Sequence, residues 1–293
     1  MRAEVAVSRR GFTLVELLVV AALITTLAGL LVSAVSAVRD NGKSANTATA
    51  IARLDQVVTN QFRRYEWQSV PTAQLNASIA NRSAARAWHI RRNRISADMP
   101  DRWPDVAYMA ANPSQFPSSA QASYIATYNA ANPKPTDQYG GAECLFMIVM
   151  QGGFADCLDC NGLAQITKGD KDGDGAPEFW DDWSNPIDYI LWAPGFQKTG
   201  ATDPFFTALD TAFPGSGIVV RPGLGMRPLI YSAGPDGQYS LQRNGEAVTL
   251  SRGSSPTGIN CGNKDEATTA TSGAGLDDGR NDNIVNVELT TGS

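Results

Sequence analysis

Apolar and polar residues follow two different schedules over the first 67 residues of the chain. From Phe12 to Val38, 20 of 27 side chains are apolar, one residue is Gly29, and the only charge is Glu16. A helix of that length reaches roughly 40 Å, enough to cross a bilayer core of about 30 Å. From Lys43 to Trp67 the apolar positions thin out to Ile51, Leu54, Val58, Phe62 and Tyr65, three or four apart. That spacing is one face of an amphipathic helix packed on a folded domain. No proline occurs between Phe12 and Val70, so both stretches read as one helix ending near Trp67. Gly29 is a weak point, and Asn41-Gly42 is where the helix is expected to bend or break.

Beyond the helix, Gly141 to Met150 reads as a short buried helix, and the Ala, Asn, Pro and Ser content of Ala107 to Pro135 predicts a loop-rich insertion. Strand-like runs cover Ile187–Trp192, Ile218–Arg221, Pro228–Ser232, Ala247–Ser251 and Ile284–Leu289, separated by Gly- and Asp-rich turns. The fold class expected is α+β. A long N-terminal membrane-spanning helix forms a spine, and its exposed half packs on a C-terminal antiparallel sheet with long loops.

Charge divides the chain in the same way. Residues 1–102 carry 14 basic and 7 acidic side chains, a net +7, whereas residues 103–293 carry 10 and 22, a net −12. Arg2, Arg9 and Arg10 precede the apolar run, which by the positive-inside rule puts the N-terminus in the cytoplasm and the bulk of the chain on the far side. A secretory signal peptide has an apolar core of about 7 to 15 residues, shorter than this one. The overall balance of −5 gives no reason to expect a nucleic-acid partner. The middle stretch of Arg82, Arg86, Arg91, Arg92 and Arg94 around Trp88 and His89 reads either as a basic contact surface or as a solvated helix face with Trp88 in the core. With His89 as the single histidine, two-histidine motifs are excluded and any Ser-His-Asp mechanism would run through that residue. Neither a P-loop nor a GxGxxG occurs, and no enzymatic chemistry is expected. The paired acids Asp181 and Asp182 are the nearest thing to a glycosidase-type site, but neighbours along a strand point to opposite faces.

Glu16 needs an explanation, because an ionised carboxylate inside a membrane segment costs on the order of 3 kcal/mol. No Lys or Arg lies within the span. The run Ser8-Arg-Arg-Gly-Phe-Thr-Leu-Val-Glu16-Leu-Leu-Val-Val20 resembles the class III leader of type IV pilins and type II secretion pseudopilins. The resemblance implies cleavage by a prepilin peptidase after Gly11 and methylation of the new amino group on Phe12. Glu16 would then meet the amino terminus of a neighbouring subunit during assembly. The proline that many relatives carry two-thirds along this helix is replaced here by Ser33.

The acidic half holds the sharpest site signal. Asp170, Asp172 and Asp174 stand at positions 1, 3 and 5 of a loop with Gly175 at position 6, a spacing that turns three carboxylates toward one hard cation such as calcium. Glu178 is placed for a water-mediated contact, and Asp181 falls at position 12, where an EF-hand carries a longer Glu. With Pro177 inside the loop, the expectation is an EF-hand-like loop without the flanking helices, set against a plain Asp/Gly turn. Further on, Asp182-Trp-Ser-Asn-Pro-Ile-Asp-Tyr189, Tyr231-Ser-Ala-Gly-Pro-Asp-Gly237 and Asn281-Asp-Asn-Ile284 resemble segments of major pseudopilins. There the latter two segments flank a calcium loop, which makes Asp236, Asp282 and Asn283 candidate ligands here, the Asn at a reduced charge.

Four cysteines, Cys144, Cys157, Cys160 and Cys261, are disulfide candidates with three complete pairings. The Cys157–Cys160 pair has CxxC spacing, but no second close pair supports a zinc ribbon and no strand-to-helix context supports a redox site.

Together these readings divide the chain into a leader (1–11), an assembly helix (12–38), its amphipathic continuation (39–68), a loop-rich helical insertion (69–167) and an acidic pseudopilin-like β domain (168–293). The resemblance implies a structural subunit of a periplasmic filament serving type II secretion. Its partners would be the prepilin peptidase, other pilin-like subunits, the inner-membrane assembly platform and membrane lipid. The alternative is a pilin-anchored envelope protein with a binding or adhesive surface.

Overall fold

The structure is a computed structural model describing residues 14–75, 82–90, 94–136, 138–152, 163, 165–194, 226–237, 239–243, 246–249, 269–270 and 284–285. Two compact units divide the chain, residues 1–43 and 44–293.

In the first unit, helix α1 (Leu14–Glu66) begins and carries its apolar side chains exposed, with Leu14, Leu17, Leu30 and Val38 all more than 60% accessible. Two polar interruptions are satisfied locally. The Thr25 hydroxyl donates to the carbonyls of Ala21 and Ala22, and Thr26 donates to Leu23, so neither hydroxyl needs water. The expected bend at Asn41-Gly42 does not occur, and α1 runs through it. One exposed glycine costs about 1 kcal/mol, too little to break a helix whose following turns are fixed by buried side chains.

Those turns belong to the second unit. Ile51, Leu54, Val58, Phe62 and Tyr65, the predicted stripe, are all buried, joined by Val57 and Thr47. Among the described residues five further α-helices follow: α2 (Arg82–Ile90), α3 (Ser96–Asp98), α4 (Trp103–Ala111), α5 (Ser119–Ala130) and α6 (Gly140–Gln151). The region expected to be loop-rich is thus largely helical. Ser118 explains the start of α5: its hydroxyl accepts from the Gln121 amide at 3.2 Å while the Gln121 side chain accepts from the Ser118 amide at 3.1 Å, a complete capping box. Helix α6 is buried as predicted, with Ala142, Leu145 and Ile148 fully enclosed.

Eight strands form three antiparallel sheets among the described residues. They are β1 (Lys168–Gly169) with β2 (Glu178–Phe179), then β3 (Asp188–Pro194), β4 (Met226–Ser232) and β8 (Ile284–Val285) in the order β3-β4-β8, and β5 (Ser240–Arg243), β6 (Glu246–Thr249) and β7 (Thr269–Ala270) in the order β5-β6-β7. Four of the five predicted strands are present; the fifth, Ile218–Arg221, lies outside the described residues. Between the pairs Ile190↔Leu229 and Ala193↔Arg227, two residues of β3 face one of β4, Pro228. A proline cannot donate to a ladder, and a bulge is where a central strand tolerates it. At this irregularity the Leu191 amide donates instead to the Asp101 carboxylate, at 3.0 Å.

Asp98 ties three helices together. Its carboxylate accepts from the Tyr65 hydroxyl of α1 at 2.8 Å, from the Ser118 hydroxyl at 3.1 Å and from the Gln121 amide nitrogen of α5 at 2.6 Å. Burial holds its pKa above the ordinary value even though these three donors pull it down. The folded state therefore keeps the proton longer than the unfolded chain. The stabilisation from this site is complete below the unfolded pKa and is lost as pH rises through the folded one. Asp98→Ala should cost about 2–3 kcal/mol by stranding these donors. Asp98→Asn should melt progressively closer to, or above, wild type as pH rises from 4 to 7, followed by circular dichroism; a pH-independent difference would mean that Asp98 titrates normally.

Candidate functional site: an apolar helix and a carboxylate-lined loop

Glu16 sits in the first described turn of α1, exposed, in the acidic position that favours a helix N-terminus. The side chains around it, Leu14, Val15, Leu17, Leu18 and Val19, are 50–81% accessible. A contiguous apolar surface of this extent marks a site of contact with lipid or another protein. The helix is long and apolar enough to cross a membrane. Gly11 and Phe12 lie outside the described residues.

The second site is the loop between β1 and β2. Gly173 and Gly175 take positive φ values of 76° and 94°, a conformation that costs glycine little and other residues much. Their amides turn inward and donate to the two oxygens of Asp170 at 2.7 and 2.9 Å. Asp174 accepts from the Ala176 amide, two residues on, at 2.9 Å. Thr136, ahead of α6, reaches both remaining acids: its amide donates to Asp174 at 2.7 Å and its hydroxyl to Asp172 at 3.0 Å. Glu178 returns on β2, fully buried, accepting from the Lys171 amide and the Trp180 indole. Burial raises its pKa, and Asp170 and Asp172 add to the rise.

Carboxylate oxygens of Asp170, Asp172 and Glu178 lie within 4.8 Å of one another, and so do those of Glu143, Asp172 and Asp174. Four of the residues singled out from the sequence are thus divided between two trios that share Asp172, and Glu143, which was not singled out, completes one of them. Glu143 is on α6, 1% exposed, and accepts a hydrogen bond from the Trp103 indole. Its pKa is pushed up to about 8, first by desolvation and then by Asp174, Asp172 and Glu178. The signal that could have found it is a lone acid in a twelve-residue run that is otherwise almost wholly apolar.

Asp181 does not join the cluster. The pairing Gly169↔Glu178 closes the hairpin at position 9, so position 12 lies beyond the turn. There Asp181 organises the next loop: one oxygen accepts from the Trp183 and Asn185 amides at 2.9 and 2.8 Å, the other from the Ser232 hydroxyl of β4 at 2.6 Å. Its neighbour Asp182 is exposed and accepts from Asn46 of α1 at 2.8 Å. The backbone of Asp236 closes a short turn after β4, while its side chain, Asp282 and Asn283 lie outside the described residues. Cys144 is a buried thiol of α6; Cys157, Cys160 and Cys261 lie outside the described residues. Of the arginine-rich stretch, Arg86 donates to the Gln68 carbonyl at 2.7 and 3.0 Å and so fastens α2 to the end of α1. His89 is buried, and desolvation and then Arg94 hold its pKa below the ordinary value. Arg91 and Arg92 lie outside the described residues.

Replacing Asp181 by Ala strands three donors at a buried position and should cost about 3 kcal/mol of stability in chemical denaturation. Loss of less than about 1 kcal/mol would mean that water or a rearranged loop satisfies them.

Residues 7–32 match the family profile described as the prokaryotic N-terminal methylation motif. No curated protein and no solved structure matches the chain. The chain thus carries a prepilin-type N-terminal signal, and that signal is continuous with the exposed apolar half of α1.

Proposed function

We propose that this protein is a pilin-like structural subunit, a pseudopilin, that polymerises into a periplasmic filament of a type II secretion-like system. One observation carries the reading: the methylation motif over residues 7–32 overlaps a helix whose described apolar side chains, from Leu14 to Val38, are exposed. In this account the peptidase cuts after Gly11 on the cytoplasmic face and the new N-terminus at Phe12 is methylated. The helix anchors the precursor in the inner membrane, and the domain from about residue 44 lies in the periplasm.

Assembly then exchanges one apolar neighbour for another. Helices leave lipid and pack on identical helices, so the apolar burial is nearly conserved and the step is decided by packing and polar pairing. Glu16 supplies the polar term, its carboxylate meeting the methylated amino group of the adjacent subunit. In a low-dielectric helix bundle that pairing offsets a desolvation cost that either charge would otherwise bear alone. The machinery implied is a prepilin peptidase, further pilin-like subunits and an inner-membrane assembly platform. No covalent chemistry is assigned to the chain itself and no nucleic acid is expected to bind it.

Intact-mass measurement on protein from native membranes tests the first step. A mature chain starting at methylated Phe12, absent when the peptidase is deleted, is the expected result. A chain starting at Met1 would make α1 a permanent anchor and favour the envelope-binding alternative. The second step is read by Glu16→Ala, expected to insert and be processed normally yet to fall at least tenfold in sheared filament fractions; incorporation at the wild-type level would remove Glu16 from the assembly mechanism.

A further inference from the structure

We propose that Glu143 of α6 together with Asp172 and Asp174 of the β1–β2 loop forms a calcium site that clasps the helix to the loop. This inference is independent of the filament reading. It starts from an oxygen with nothing to bond. Of the two carboxylate oxygens of Glu143, one accepts from the Trp103 indole, and the other is buried without any hydrogen-bond partner. The residue is 1% exposed. A buried, unmet carboxylate oxygen costs several kcal/mol in a folded chain and is rarely left so.

Its surroundings say what would meet it. A carboxylate oxygen of Glu143 stands within 4.8 Å of carboxylate oxygens of Asp172 and Asp174, which are mutually within the same limit. Three acids in that arrangement repel one another. The geometry suits a cation, since two ligands each about 2.4 Å from a calcium ion are at most about 4.8 Å apart. The donor set is all oxygen and anionic, which selects a hard divalent ion over zinc or copper.

A second trio, Asp170, Asp172 and Glu178, lies alongside and shares Asp172, but its members are already engaged. Both oxygens of Asp170 accept from the amides of Gly173 and Gly175, and Glu178 accepts from the Lys171 amide and the Trp180 indole. Asp172 and Asp174 likewise accept one donor per oxygen, so what separates the two trios is the unmet oxygen of Glu143, which has no counterpart in the second. The ion is therefore assigned to the Glu143 trio, with the second trio holding the loop in shape. Glu143 also borders a cavity of about 360 Å³ edged by Trp103, Gly175 and Ala176, where water could complete the six to eight oxygens that calcium takes. Magnesium, which demands a tighter octahedron and keeps its own water, fits this site less well.

The test is calorimetric titration of the full-length chain in detergent, stripped with chelator and titrated with calcium chloride alone. One saturating ion per chain is expected, with a rise in melting temperature. Glu143→Gln, which keeps the shape and removes the charge, should weaken calcium binding at least tenfold while melting in chelator no earlier than wild type. Should that variant melt early, Asp174→Asn reads the same trio and is expected to weaken binding by a similar factor. No saturable uptake below about 10 mM calcium, weaker than the weakest extracellular sites, would overturn the site. So would wild-type affinity in both variants, and magnesium binding as tightly as calcium would overturn the choice of ion.

Discussion

From Leu14 to Val38 the described side chains of α1 are exposed, and most are apolar. Exposed apolar area costs about 25 cal/mol per Å² in water, and a monomer seldom carries a contiguous patch beyond a few hundred Å². A helix of this kind has to be surrounded, by lipid or by copies of itself. Either setting requires that the helix satisfy its own polar groups. The backbone does so through its ladder, and Thr25 and Thr26 do so by donating to carbonyls one turn back. Glu16 is the charged group of the segment, and its place in the first described turn, within the methylation motif, sets the problem of burying a carboxylate inside that signal.

The same helix carries a different pattern after Lys43, and this change of schedule was readable without coordinates. Ile51, Leu54, Val58, Phe62 and Tyr65 recur at helical spacing and all are buried, because a period of 3.6 places them on one stripe whatever they pack against. Composition was a poorer guide. Ala107 to Pro135 reads as loop from its Asn, Ser and Pro content, yet Pro113 opens the short 3₁₀ helix Pro113–Gln115 and Ser118 caps α5. In both positions a residue counted as a helix breaker starts a helix. The bulge opposite Pro228 belongs to the same class of local rule, legible only once the partner strand is known.

What the sequence hid is how buried acids join elements distant along the chain. Asp101 meets the Leu191 amide 90 residues away and Asp181 meets Ser232 51 residues away; Asp98 gathers donors from α1 and α5. A carboxylate has lone pairs for about four donors and no proton to place, so it can collect amides and hydroxyls from several elements at once. Spacing along the chain cannot reveal such a role, since the donors are brought together only by the fold. Among the described acids after residue 102, Asp105, Glu143, Asp174, Glu178 and Asp181 are turned inward in this way.

That economy sets Glu143 apart. In the loop itself the glycines enforce the turn, but Asp170, Asp172 and Asp174 do not meet at one point: Asp170 groups with Glu178 and Asp174 with Glu143, and Asp172 is common to both. The fourth loop position was misread because an EF-hand continues into a helix, whereas this loop closes as a hairpin at Glu178 and throws Asp181 past it. The hairpin leaves one side of the acid cluster open, and α6 fills it with a glutamate where the rest of that face is apolar. An apolar residue there would pack against Trp103 at no electrostatic cost. A glutamate has one carboxylate oxygen satisfied by Trp103 and the other without a partner, in a cluster with Asp172 and Asp174. Desolvation and these acids hold its pKa up at about 8, and the cation proposed above would relieve both costs.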